Sequence, residues 1–248
     1  MRRLAVLAFA VLAACAQPPS GPDPVRLTFP EMQRFAGASP GPATRPNSEM
    51  ALDFIDLAFR MESGRELPVL TRFEGPITVR VVGPLGQASR DDLTALLRRL
   101  RNEARIDISL TNAADANIVI EALPNRTIQR AAPNAACFVV PRVQSWAALR
   151  AARDTPTLDW ATLRQRDKVG IFIPSDVTPQ EIRDCLHEEL AQALGPLNDL
   201  YRLPDSVFND DNIHAVLTGF DMLMLRAYYA PDLRSGMSAQ QVADRLPG

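Results

Sequence analysis

The strongest constraint on this chain is the segment "TPQEIRDCLHEELAQALGP", residues 178–196. It predicts a helix with both ends marked. Thr178 suits the N-cap, Pro179 the first helical position and Glu181 the reciprocal acid of a capping box. Gly195 followed by Pro196 stops it. At about 100° per residue, Ile182, Leu186, Leu190 and Ala193 share one side, with Leu194 at its margin. Such a stripe has to be buried against other elements. Glu189 falls inside the stripe, where a carboxylate is costly without a purpose or a partner. Glu188 and Gln192, four residues apart, are neighbours on its shoulder, whereas His187 points about 100° or more away. The "HE" of "HEELA" is therefore a decoy for a zinc motif, and His187 is expected as a surface or half-buried histidine.

The remaining elements say what such a helix packs on. "NSEMALDFIDLAFRM" carries Met50, Phe54, Leu57, Ala58 and Met61 at helical spacing, with Asn47 or Ser48 as cap. "PITVRVVG" (76–83), "IDISL" (106–110), "ANIVIEAL" (116–123), "ACFVVPRV" (136–143) and "KVGIFIP" (168–174) read as five strands. Pro141 places the fourth at a sheet edge. "SRDDLTALLRRLRNEA" reads as a helix capped by Ser89 and Asp92, and residues 144–166 as a helical or irregular insertion. "LTGFDMLMLRAYYAPDL" predicts a further helix capped by Thr218 and Asp221, and "SAQQVADRL" a short terminal one. The order α-β-α-β-β-β-β-α-α predicts an α+β fold close to α/β. A hydrophobic content of 46% supplies a core, and a formal net charge of −2 argues against nucleic acid as partner.

The N-terminus carries a separate signal. Arg2 and Arg3 precede "LAVLAFAVLAA", a run of signal-peptide length that ends in "LAAC". The pattern resembles a bacterial lipobox. It implies cleavage after residue 14, a lipidated Cys15, and a Pro/Gly/Ala-rich tether over residues 15–46 leading to a domain over 47–248. The expected location is the periplasmic side of the cell envelope, and Ala16 in place of an acidic residue points to the outer membrane by resemblance to the enterobacterial sorting rule. Export leaves Cys137 and Cys185 in an oxidising compartment, which favours a disulfide over two buried thiols.

Moving the frame by one residue brings out a second pattern. "EELAQALGPLND" sets Glu188, Glu189, Gln192, Gly195 and Asn198 at the spacing of the HExxHxxGxxH motif, and so resembles the metzincin metalloproteases. The resemblance implies a zincin-like mixed five-stranded sheet with an antiparallel edge strand, packed by an active-site-type helix and a C-terminal helix. It puts Glu189 at the general-base position and Glu188, Gln192 and Asn198 at the three ligand positions. His187 and His214 are the only histidines, so a three-histidine zinc site is excluded and no zinc or other cofactor is expected. A closer resemblance is to the domain of unknown function 2927 family, carried by "FIDLAFRMESGRELPVLTRFEGPI", "DCLHEELAQALGPLND", "DSVFNDDN" and "LRAYYAPDLRSGM" over most of residues 48–238. That family brings a fold and the EExxQ arrangement but no activity.

Three functions are compatible with these residues. The favoured one is a non-catalytic module that captures an extended peptide or envelope protein beside the edge strand, a pseudopeptidase. The second is a hydrolase using Glu189 with an oxygen-ligated metal held by Glu188, Gln192, Asn198 or Asp199. The third is a structural envelope lipoprotein whose polar helix residues satisfy one another. "DSVFNDDN", residues 205–212, has acidic donors but lacks the Gly and distal Glu of a calcium loop, and is read as a polar turn.

Overall fold

The computed structural model describes residues 45–209 and 214–246. The signal segment, Cys15, the tether up to residue 44 and residues 210–212 of "DSVFNDDN" lie outside them. In chain order the elements are α1 (Asn47–Phe59), β1 (Ile77–Val82), α2 (Gln87–Asn102), β2 (Ile108–Leu110) and β3 (Ile118–Leu123). There follow α3 (Asn125–Ala131), β4 (Phe138–Pro141), α4 (Trp146–Ala152), two short 3-10 turns (Pro156–Leu158 and Trp160–Thr162) and β5 (Val169–Pro174). The chain ends with α5 (Pro179–Leu194), α6 (Gly219–Tyr228) and α7 (Ala239–Ala243). Among the described residues no helix is long and apolar enough to cross a membrane.

The five strands form one mixed sheet in the order β2-β1-β3-β5-β4. All neighbours are parallel except β4, which runs antiparallel to β5 at the edge, where Pro141 can be tolerated. The register assigns the faces. Ile77, Val79, Ile118, Ile120, Val139, Ile171 and Ile173 point to one side and join the core with Leu93, Leu96, Leu97 and Leu100 of α2 and Leu186 and Leu190 of α5. On the other side Phe138, Phe172 and Trp146 make a small aromatic cluster, with centroids 5.3–6.3 Å apart. Gly170 is required here, because a Cβ would come within 2.4 Å of the Val143 carbonyl oxygen.

Several local expectations shift. The N-cap of α2 is Gly86, not Ser89; the helix begins earlier, and Asp92 is taken by Arg183 of α5 at 3.0 Å instead of closing a capping box. The N-cap of α1 is Pro46, not Asn47 or Ser48. Arg45, assigned to the tether by its surroundings in sequence, is held on the domain by Asp53 at 2.6 Å and lies 4.3 Å over the Phe220 ring. The capping boxes of α5 and α6 form as the sequence predicts. Asp221 does more than cap: fully buried, it accepts from Ser206 Oγ at 2.5 Å and from the Val207 amide at 3.2 Å. The start of "DSVFNDDN" is thus pinned into the interior rather than left as a solvated turn.

Candidate functional site

The site is built on α5, and its C-terminal end is held unusually firmly. Arg166, 1% exposed, donates to the carbonyls of Gln192, Ala193 (2.8 Å) and Gly195 (2.5 Å) and to Thr71 Oγ1 at 3.2 Å. Its guanidinium lies 4.7 Å over the Trp160 ring. Burial pulls the Arg166 pKa below the ordinary arginine value. The negative end of the helix dipole supplies the counter-charge. Tyr228 and Tyr229 of the "YY" pair donate to the Gly195 and Leu194 carbonyls at 3.3 and 2.9 Å. The same Tyr228 ring explains Gly195, where a Cβ would sit 2.8 Å from its carbons.

The opposite flank of α5 is buried as well. His187 is 1% exposed, not a surface or half-buried residue, because α2 and the chain entering α6 close over it. Its Nδ1 accepts from the Leu217 amide at 3.0 Å. Burial, reinforced by Arg99 and Arg183, pushes its pKa down to about 3, so it is neutral near neutral pH. Its role is to dock α6 rather than to face a ligand.

The remaining flank of α5 borders a cleft of about 430 Å³ between the helix, β4 and the end of the α1 segment. Glu188, Glu189 and Gln192 all line it. Glu189 is buried (4% exposed) and Glu188 half-buried. Gln192 Nε2 donates to Glu62 Oε1 at 2.9 Å and to Glu188 Oε1 at 3.4 Å, so an amide knits two carboxylates together. Glu62 carries no sequence signal; it arrives because its amide donates to the Leu197 carbonyl at 3.0 Å and Met61 bridges to Leu197. Trp160, from the irregular insertion, supplies an aromatic wall. Asn198 is not brought to the cleft: its carboxamide donates to the Asp56 carbonyl at 3.0 Å, tying the chain after α5 to α1. Asp199 also lies outside the lining.

A disulfide joins Cys137, at the start of β4, to Cys185 of α5. It fixes the edge strand over the helix, and Cys137 lies in the cleft wall. Which backbone groups of β4 point away from β5 can be read from the ladder. The Arg142 amide donates to the Lys168 carbonyl, which makes Arg142–Lys168, Val140–Gly170 and Phe138–Phe172 the hydrogen-bonded pairs. Val139 therefore turns its N–H and C=O away from the sheet. Among the described residues no group of three or more His, Cys, Asp or Glu side chains is arranged to hold a metal ion. The arrangement offers an outward backbone donor and acceptor beside a pocket of carboxyl and amide oxygens.

A search of the curated proteins finds no match to the chain. A family model described as "Protein of unknown function (DUF2927)" matches residues 47–248, a span that takes in every described element from α1 to α7. The chain belongs to that family of proteins of unknown function.

Proposed function

We propose that this is a lipid-anchored cell-envelope protein whose metzincin-like domain has lost the zinc histidines and serves as a non-catalytic, peptide-binding module. The observation that carries the reading is the junction of β4 and α5: the outward backbone of Val139 borders the cleft into which Glu188, Glu189 and Gln192 face. An extended segment can add to such an edge through main-chain hydrogen bonds while its side chains are sorted by the flanking pockets. The strand order with one antiparallel edge strand, and the EExxQxxG spacing on α5, support the zincin-like ancestry. The "LAAC" motif at residues 12–15 supports the anchor and the envelope location.

Val139→Pro tests the binding mode. It removes the outward N–H and leaves the β4–β5 ladder intact, since that amide takes no part in it. Peptides selected from a random library on the full chain should bind the wild type and lose binding to the variant, whose circular dichroism should match the wild type. Selection of no peptide, or equal binding to both proteins, overturns the reading. Hydrolysis of the selected peptides that is abolished by Glu189→Gln would show a working peptidase instead.

A further inference from the structure

We infer that a second pocket, on the face of β4 turned away from α5, binds a small amphiphilic anion: a carboxylate with an aliphatic or aryl tail. The pocket, of about 220 Å³, lies between the start of β4, the end of α3, α4 and the first 3-10 turn. Its walls are Phe138, Trp146, Leu149 and Leu158, each only half-buried. Four large apolar side chains left half-covered around one hollow mark a ligand site better than they mark ordinary surface, where apolar residues are scattered singly. Arg150 and Arg153, both exposed, stand in the same lining, which holds no acidic side chain. Among the described residues neither arginine enters an ion pair. An apolar hollow and two uncompensated cations are independent observations, and they call for one kind of ligand.

The hollow is held open by contacts behind its walls. The Trp146 amide donates to Glu121 Oε2 at 2.6 Å, and Ser145 caps α4. Arg142 donates to the Pro156 and Thr157 carbonyls at 3.4 and 3.3 Å, which fixes the turn carrying Leu158. Gln129 Nε2 donates to the Ala135 carbonyl at 3.0 Å and ties the end of α3 to the approach to β4. Phe138 is wedged against Phe172 and Trp146. Walls anchored in this way do not collapse into the gap, and a preformed pocket loses little to ordering when it binds. Size limits the tail. An apolar cavity of about 150 Å³ holds benzene, so on the same measure this pocket holds about eight or nine carbons. Charge fixes the orientation. The tail enters the hollow, and the carboxylate stays at the mouth beside Arg150 and Arg153, where it keeps contact with water. A cationic head is repelled at that mouth, and a neutral one gains nothing from it.

Titration of the full chain with straight-chain carboxylates from butanoate to dodecanoate, kept below their micelle concentrations, tests this by calorimetry. Affinity should rise about fourfold per added CH2 and level off near about eight or nine carbons, when the hollow is full. Hexanoate should bind about tenfold tighter than hexanamide, the gain expected of two half-exposed charge contacts. Arg150→Gln/Arg153→Gln should erase that difference and leave the hexanamide affinity in place. Leu149→Trp and Leu158→Trp, both at half-buried positions, should each fill the hollow and abolish binding of both ligands, with circular dichroism unchanged. Equal binding of hexanoate and hexanamide, affinity that keeps rising through dodecanoate, or no binding at all overturns the inference. Retention of the chain on phosphatidylglycerol vesicles that needs Arg150 and Arg153, without binding of free carboxylates, would assign the arginines to a membrane surface and overturn it as well.

Discussion

Removing the Cys137–Cys185 bridge should be among the most damaging changes that leave every aliphatic and aromatic core side chain in place. The bridge closes a loop across a sequence separation of 48, spanning the end of the sheet and half of α5. In the chain-entropy relation, closing a loop of that length destabilises the unfolded state by about 4 kcal/mol at 25 °C. For a domain of this size each kcal/mol moves the melting temperature by roughly 2–4 °C, so the loss is about 8–16 °C. The perturbation is Cys137→Ser/Cys185→Ala in a Cys15→Ser chain; serine suits the half-buried position and alanine the buried one. Thermal unfolding followed by circular dichroism gives the shift, and adding a reductant to the Cys15→Ser parent should reproduce it without mutation. Hydrogen exchange adds a local signature: the β4 amides should lose protection more than those of β3, because β4 has one strand neighbour and β3 has two. A reductant shift below about 2 °C, or two reactive thiols in the denatured, unreduced protein, would refute the reasoning.

The other predictions follow from single contacts. Arg166→Met should cost about 3–5 kcal/mol in urea unfolding, because it strips donors from three buried carbonyls; Arg166→Lys should rescue little, since one ammonium cannot span that fan. Gly195→Ala should destabilise by about 1–3 kcal/mol through its clash with the Tyr228 ring, whereas Gly86→Ala, with open space around its Cβ, should shift stability far less. His187 links stability to acid: its folded pKa of about 3 lies below the ordinary 6.5, so its contribution is complete above that ordinary value and is lost as pH falls toward 3. The slope is at most about 1.4 kcal/mol per pH unit, and His187→Asn, whose Oδ1 can accept from the Leu217 amide, should remove it. Comparing the two proteins cancels the opposite trend from Asp221, whose pKa is raised by burial; parallel stability–pH curves would show that His187 is not the titrating group.

Much of the fold was legible because its strands and capped helices carry local signals. Thr178, Pro179 and Glu181 announce the start of α5, and Pro141 announces the edge strand. The failures are non-local. Seven residues of α3 follow a proline and have no side-chain cap, so nothing local marks them. Ser89 and Asp92 have the spacing of a cap, but Asp92 gains more from a two-point pair with Arg183 of another helix. The site divides the same way. Helical spacing alone brings Glu188, Glu189 and Gln192 to one flank, whereas Glu62 and Trp160 reach the cleft only through tertiary contacts with Leu197 and Arg166. Spacing beyond the helix failed as a guide: once α5 ends at Gly195, the path of the chain is set by packing, and Asn198 is drawn to the α1 carbonyl of Asp56.

The position of Glu189 in an apolar stripe now has a physical setting. The stripe of α5 is not uniformly covered: Leu186, Leu190 and Ala193 meet core, while the turn carrying Glu189 meets the cleft. A carboxylate there escapes the full penalty of deep burial only while that cleft remains polar. Keeping it so requires α5 not to slide or rotate, because a rotation of one residue's angle in one direction would carry Glu189 into the core, and in the other would carry Leu186 and Leu190 toward the cleft. The surrounding devices all oppose such movement. Arg166, Tyr228 and Tyr229 hold the carbonyl end, Thr178 and Glu181 the amide end, Arg183 and Cys185 two further sides. A helix that served only as core would be stable with far fewer anchors, since apolar packing tolerates small shifts. Fixing the rotation of α5 fixes the direction of its carboxyl groups relative to the edge of β4, which the proposed capture of an extended segment at that edge would require.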